Sequence, residues 1–232
     1  MKRRQFTAGA LAMPAGVFTV AGGLAVSARA AEVNESDAAQ GVRAALEKGA
    51  EGAVASLGRT GGFLDNPKVR IPLPGYLEQA AKVAKMTGQG QRVDELVTAM
   101  NRAAEQAVPR AKPMLLAAVK SMSVSDAVGI VRGGSDSATR YFESKTRKPL
   151  TTEFLPVVKQ ETQKVSLAQR YNDLAGKMAS MGLAKGDAAT IEQYVTSKAL
   201  DGLYLIIGEQ EASIRRDPVG TGSALLKKVF GG

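Results

Sequence analysis

The chain has no cysteine, no histidine and no tryptophan among its 232 residues. Without cysteine there is no disulfide framework, no thiol nucleophile and no Cys-ligated zinc. Without histidine there is no Ser-His-Asp triad, no Cys-His pair and no imidazole-ligated metal. Serine remains as a nucleophile but needs a neighbouring base, and neither Ser-x-x-Lys nor Gly-x-Ser-x-Gly occurs. Gly88-Gln-Gly90 lacks the third glycine and the preceding strand of a dinucleotide fingerprint. A phosphate-binding Gly-Lys-Ser/Thr loop and a calcium loop with alternating acids are also missing. No motif asks for a cofactor or a metal.

The N-terminus is Met1-Lys2-Arg3-Arg4-Gln5-Phe6, and no charge follows from Gln5 to Ala28. A basic start, an apolar middle and the small-residue end Ala28-Arg29-Ala30 are the parts of an export signal. Arg3-Arg4 followed by Phe6 is similar to a twin-arginine signal. Gly9, Gly16, Gly22, Gly23 and Pro14 keep the apolar region only moderately hydrophobic, which suits that route. The alternatives are general secretion and an uncleaved anchor, since about 20 uncharged residues can span a bilayer. The expected organisation is a signal at 1–30 and one helical domain at 31–232, located in the periplasm, with no transmembrane segment after cleavage. Loss of Lys2, Arg3, Arg4 and Arg29 takes the formal charge from +9 to +5. That excess is modest, and without a Lys/Arg block or an aromatic RNA-reading motif it gives no support for nucleic-acid binding.

The remainder reads as an all-α, single-domain bundle of about 8–10 helices. Val42, Leu46, Gly49, Ala53 and Leu57 give one face of a helix from Asn34 to Leu57, with Gly58 as a left-handed end. Gly61 to Gly75 interrupts the helical pattern. Its prolines 67, 72 and 74 and its alternating Val69, Ile71 and Leu73 predict an extended ribbon, with Phe63 and Leu64 tucked under a helix. Helices follow at Tyr76–Thr87, Gln91–Val108 and Pro113–Met122. Ser123 and Asp126 form a capping box for a helix ending at Gly133. Ser135 caps a helix that stops at Lys148 before Pro149. Leu150 to Val165 continues as a separate helix, kinked or started late by Pro156. The stripe Leu167, Tyr171, Leu174, Met178 and Met181 makes another, and a polar turn follows at 184–189. Ile191 to Arg216 has the widest apolar arc and is the candidate central helix. Leu225, Leu226, Val229 and Phe230 form a short amphipathic tail helix.

Several of these stretches resemble the bacterial domain of unknown function 4197 family. They are residues 61–74 (GGFLDNPKVRIPLP), 100–109 (MNRAAEQAVP), 138–142 (ATRYF), 199–204 (ALDGLY), 214–220 (IRRDPVG) and 225–231 (LLKKVFG). The resemblance covers nearly the whole chain beyond the signal. It implies an exported, helical, single-domain protein and supplies no catalytic or binding residues.

Carboxylates are the only acid/base machinery left. Asp201 and Glu209 lie about two turns apart on one helix and can share a face. An Asp–Glu pair in a cleft can act as acid and base, although a solvated, salt-bridged edge gives the same pattern. Glu211 and Arg215 are spaced as a surface ion pair. Arg70 sits among prolines and apolar residues, where a guanidinium calls for a carboxylate, a helix-end carbonyl or an anionic ligand. Tyr141 and Tyr204 read as core aromatics with hydroxyls at polar rims. Three functions stay open. One is non-catalytic binding of an apolar or amphipathic ligand, or of an envelope protein, through Phe63, Leu64, Arg70, Ile71, Tyr141, Asp201, Tyr204 and Glu209. Another is a structural module docking through an exposed patch at Phe63 and Leu64. The third is a carboxylate-based hydrolase.

Overall fold

The computed structural model describes residues 24–166, 168, 169, 172 and 190–217. The signal residues 1–23, most of the stripe at 167–181, the turn at 184–189 and the tail helix lie outside them. The chain divides into Met1–Asn34 and Glu35–Gly232, and the packing below concerns the second unit. The fold is all-α, with no strand among the described residues. The helices among the described residues are α1 (Leu24–Leu57), α2 (Gly75–Met86), α3 (Gly90–Ala107), α4 (Ala111–Lys120), α5 (Val124–Arg132), α6 (Ser137–Thr162) and α7 (Ile191–Arg216), with a 3-10 turn at Val108–Arg110.

Helix α1 starts ten residues earlier than the pattern predicts, because Leu24 to Val33 is rich in alanine and other strong helix formers. The small-residue face is a true contact surface: a Cβ added at Gly49 would lie 3.6 Å from Gln210 of α7. The left-handed turn expected at Gly58 falls instead at Gly61, whose φ is +82°, while Gly88 ends α2 as predicted with φ +79°. The capping box of α5 forms as read: Asp126 N donates to Ser123 Oγ at 3.0 Å and Ser123 N to the Asp126 carboxylate at 3.0 Å.

The largest correction concerns α6. Two helices broken at Pro149 are in fact one, running through both Pro149 and Pro156. Ala138, Phe142, Thr146, Leu150, Phe154, Val158 and Thr162 are all buried, an uninterrupted i, i+4 ridge. Both prolines, and Lys145 and Thr152 whose carbonyls lose their helical partners, are exposed. Both carbonyls thus belong to solvent-exposed residues, and the buried ridge offsets the roughly 3 kcal/mol that an interior proline costs. Helix α6 packs on α3, α4, α5 and α7, while α7 packs on α3 and α6. The centre of the bundle is therefore α6 as much as α7. Pro149→Ala restores the hydrogen bond to Lys145 and is expected to stabilise the fold by about 1–2 kcal/mol, net of the entropy that proline removes from the unfolded chain. Urea denaturation checks this; a loss of stability would mean that the helix is shaped around the proline ring.

Candidate functional site

The ribbon is only partly extended. Residues 58–65 are a run of turns, with Gly62 N donating to Arg59 O at 2.9 Å and Asp65 N to Gly61 O at 3.2 Å. A further turn follows at 67–69, and the chain is free of turns at 71–74, where Pro74 has φ −55° and ψ 140°. Val69 and Ile71 are buried and Leu73 packs on the core, whereas Arg70 and Pro72 are exposed, so the predicted alternation holds as far as Leu73; it fails at Pro74, expected on the outer side but buried where α2 begins.

Helix α3 holds this segment with two polar side chains one turn apart. The Asn101 amide accepts from Ile71 N at 2.8 Å and donates to Ile71 O at 2.9 Å, standing in for a neighbouring strand. Glu105 accepts from Phe63 N at 3.1 Å and Leu64 N at 3.0 Å, and its second oxygen takes Arg102 Nη1 at 2.6 Å. Burial alone would raise the Glu105 carboxyl, but the N–H groups of Leu64, Phe63 and Gly61 and the Arg102 guanidinium hold it below the usual range. Tyr194 of α7 adds a hydroxyl donated to Pro72 O at 3.2 Å.

The same clamp seats Phe63 against α7. A Cβ built on Gly202 would come within 2.8 Å of the Phe63 ring and 3.2 Å of Val69, so glycine makes the room there. Gly202→Ala gains about 1 kcal/mol of helix propensity and loses about 1–3 kcal/mol to overpacking. The expected net effect is a loss of about 1 kcal/mol or more, since the ring is fully enclosed. Chemical denaturation should show the loss in the native background and its disappearance beside Phe63→Leu.

Phe63 and Ile71 are thus core residues and cannot line a surface; the exposed patch expected at Phe63 and Leu64 is absent, because Glu105 and Gly202 draw the segment inward. Arg70 is exposed, and its guanidinium has no protein partner among the described residues. Tyr141 donates its hydroxyl to Ala118 O at 2.9 Å and ties α6 to α4.

Asp201, Tyr204 and Glu209 do come together, along a shallow groove between α6 and α7 of about 560 Å³. Its α6 wall carries Asp136, Glu143 and Arg147; Leu205, Gly208 and Ala212 of α7 contribute apolar surface. Arg147 bonds Glu143 and Asp201, each at 2.7 Å, and its guanidinium stands 5.3 Å from the centre of the Tyr204 ring. Burial would weaken the Arg147 charge, but Asp201 and Glu143 raise its pKa. Burial pushes the Tyr204 hydroxyl up to about 12, and that hydroxyl lies 2.9 Å from Thr146 Oγ1. Glu209 is paired with Lys68 of the ribbon at 2.7 Å. The Asp–Glu pair therefore shares a face, as the spacing predicts, with each acid already matched by a cation. A second space, at Val42, Leu46, Ile130 and Ile214, amounts to only about 20 Å³, room for one water at most.

Glu211 and Arg215 correct another expectation. They form no surface pair, since their side chains are only 5% and 18% exposed. Glu211 accepts from Ala138 N at 3.1 Å and Thr139 N at 2.9 Å, and so caps α6 from another helix. The predicted cap Ser135 plays no such part; Asp136 occupies the N-cap position without a side-chain bond. Arg215 reaches Ser137 Oγ at 2.7 Å and Ile130 O at 2.9 Å. Sequence reading missed Asn101, Glu105 and the reach of Glu211. The available signal was a polar residue recurring at i, i+4 beside an apolar stripe.

Among the described residues no single helix is long and apolar enough to cross a membrane. No curated protein and no solved structure matches the chain. A family model described as a protein of unknown function, DUF4197, matches residues 32–231. Since that match takes in both the clamped ribbon and the α6/α7 groove, the chain belongs to the DUF4197 family.

Proposed function

We propose that the chain is exported to the periplasm and works there by binding, using the α6/α7 groove for an amphipathic ligand or a segment of an envelope protein. The groove itself carries this reading. It offers Leu205, 47% exposed, beside Gly208 and Ala212, between walls whose charges are internally balanced. Such a surface favours an occupant with an apolar side and polar edges. Exposed carboxylates already matched by cations give less support to acid/base chemistry, which calls for a carboxyl free to exchange a proton with its substrate. Export is supported by the Arg3-Arg4-x-Phe6 start and by a family match that begins at residue 32, just beyond the expected cleavage after Ala30.

The test is native mass spectrometry of protein purified from the periplasm of its own host, beside in-cell crosslinking from the groove. A bound mass or a specific crosslink that Leu205→Glu abolishes is the expected result. Bare protein and no captured partner in either background would overturn the reading. Retention of the protein in the cytoplasm after Arg3→Lys with Arg4→Lys is expected for twin-arginine export; normal export would point to the general route.

A further inference from the structure

We propose that the tip of the α2/α3 hairpin docks on a bilayer that contains anionic phospholipid, with Val83 and Met86 entering the headgroup layer. Among the described residues four large apolar side chains are exposed, and two of them, Val83 at 60% and Met86 at 87%, lie on the last turn of α2. They are three residues apart and so share a face. A surface helix ordinarily keeps polar residues on its outer side, and here that side carries both. Helix α2 packs chiefly on α3, and no residue from Lys82 to Arg92 is buried. Leu77 of α2 reaches the core, and Met86 stands nine residues, about 13 Å of helix, beyond it. On α3 the first buried residue is Val93. The hairpin therefore ends in a projecting tip.

Charge and backbone both suit that surface. Lys82, Lys85 and Arg92 fall within the tip and no acid does. Lys85 pairs loosely with Asp94 at 3.3 Å, whereas the side chains of Lys82 and Arg92 have no protein partner among the described residues. Their charges are left for lipid phosphates. Backbone groups that approach an apolar layer need partners of their own. Thr87 N donates to Val83 O at 3.0 Å and Gln89 N to Ala84 O at 2.7 Å, and the Thr87 hydroxyl stands 3.1 and 3.2 Å from the same two carbonyls. Gly88, with φ +79°, turns the chain inside this closure. A Cβ on Gly90 would lie 3.6 Å from Lys85 Cα, so the two helices touch at the tip. Size argues against a protein as the occupant. A stable protein interface takes about 20–30 residues from each partner, against the 11 of Lys82–Arg92. A shallow bilayer contact takes a few apolar side chains among cations. The tip shares no residue with the α6/α7 groove, so this contact stands whether or not the groove is occupied.

Flotation of the full chain with vesicles tests this. Vesicles of equal parts phosphatidylcholine and phosphatidylglycerol should bind it at least about tenfold more tightly than phosphatidylcholine alone, and less tightly as salt is raised. Lys82→Gln with Arg92→Gln should weaken that binding about tenfold or more. Val83→Gln with Met86→Gln should weaken it severalfold. All four side chains are exposed, so neither pair should shift the denaturation midpoint. The basic segment Met1–Arg4 can itself attract anionic lipid, so a local readout decides. With no native cysteine, a polarity-sensitive dye can be placed on Gln89→Cys at the tip and, as a control, on Leu205→Cys in the groove. Anionic vesicles should blue-shift the tip dye and leave the groove dye unchanged. Absence of binding, a tip dye that stays in water on bound chain, or binding that either pair of substitutions leaves intact would each overturn the proposal. A protein crosslinked in cells through Gln89→Cys, with no shift of the dye by vesicles, would assign the tip to a protein partner and overturn it too.

Discussion

Glu105→Ala is expected to lower stability by about 3–5 kcal/mol, the range for removing one member of a buried ion pair. The side chain is 4% exposed and has three roles in one place. It accepts the N–H groups of Phe63 and Leu64, neutralises Arg102, and through those contacts keeps Phe63 beneath α7. Alanine leaves two N–H groups without their acceptor and a half-buried guanidinium without its charge partner. A domain of this size has about 5–15 kcal/mol in total, so the variant is expected to be marginal. Glu105→Gln keeps an acceptor oxygen while losing the charge, and should cost about 1–3 kcal/mol. Urea denaturation at neutral pH should place the three proteins in that order. A loss below 1 kcal/mol for alanine would show that the segment is held by its apolar anchors alone.

The same residue sets an acid limb. Its folded-state pKa lies below the ordinary value of 4.5. The unfolded chain therefore takes up the proton first as the pH falls, so Glu105 stabilises the fold fully above that value. The contribution is lost as the pH drops through the lower, folded-state value. The difference in stability between the native chain and Glu105→Ala should accordingly be constant near neutrality and narrow below pH 4.5. A constant gap down to the acid unfolding transition would show that the carboxylate charge is not what anchors the segment.

Apolar spacing made the fold class, α7 and the α5 capping box legible in the sequence, because those features depend on residues within one turn of each other. What failed was whatever depended on a distant part of the chain. Local rules break a helix at Pro149, and only the ridge from Ala138 to Thr162, packed on α3 and α7, keeps it whole. Local spacing pairs Glu211 with Arg215, but the carboxylate caps a helix 73 residues away in sequence. The ribbon showed the same division. Prolines fixed its extended end, whereas the turn at Gly61–Asp65 depends on Glu105, about 40 residues further along. For the candidate site, Asp201 and Glu209 were legible as one face; Glu143 and Arg147 fall in a helix that was also predicted, and what local spacing could not show is that this helix packs beside α7.

Gly62→Ala is expected to be comparably damaging, for a different reason. A Cβ at this position would overlap the carbonyl oxygen of Leu57 and lie 2.6 Å from its carbonyl carbon and 2.7 Å from Ser56 O. All three atoms are backbone at the end of α1, so no rotamer change can relieve the contact. The turn must move away from α1 instead, and Phe63 is the next residue. Withdrawing its enclosed ring from beneath Gly202 forfeits much of what a core phenylalanine contributes, so the expected loss is about 3–5 kcal/mol. Two other glycines separate crowding from backbone conformation. Gly75→Ala, where nothing lies within 4 Å of an added Cβ, should change stability by less than about 0.5 kcal/mol. Gly88→Ala, equally uncrowded but with φ +79°, should cost about 1–2 kcal/mol from the left-handed backbone alone. Denaturation midpoints ranked Gly75, Gly88, Gly62 in increasing damage would establish close approach to α1 as the constraint at Gly62. Gly62→Ala no worse than Gly88→Ala would mean that the turn can lift without drawing Phe63 out, and that the clamp from α3 holds the ring by itself.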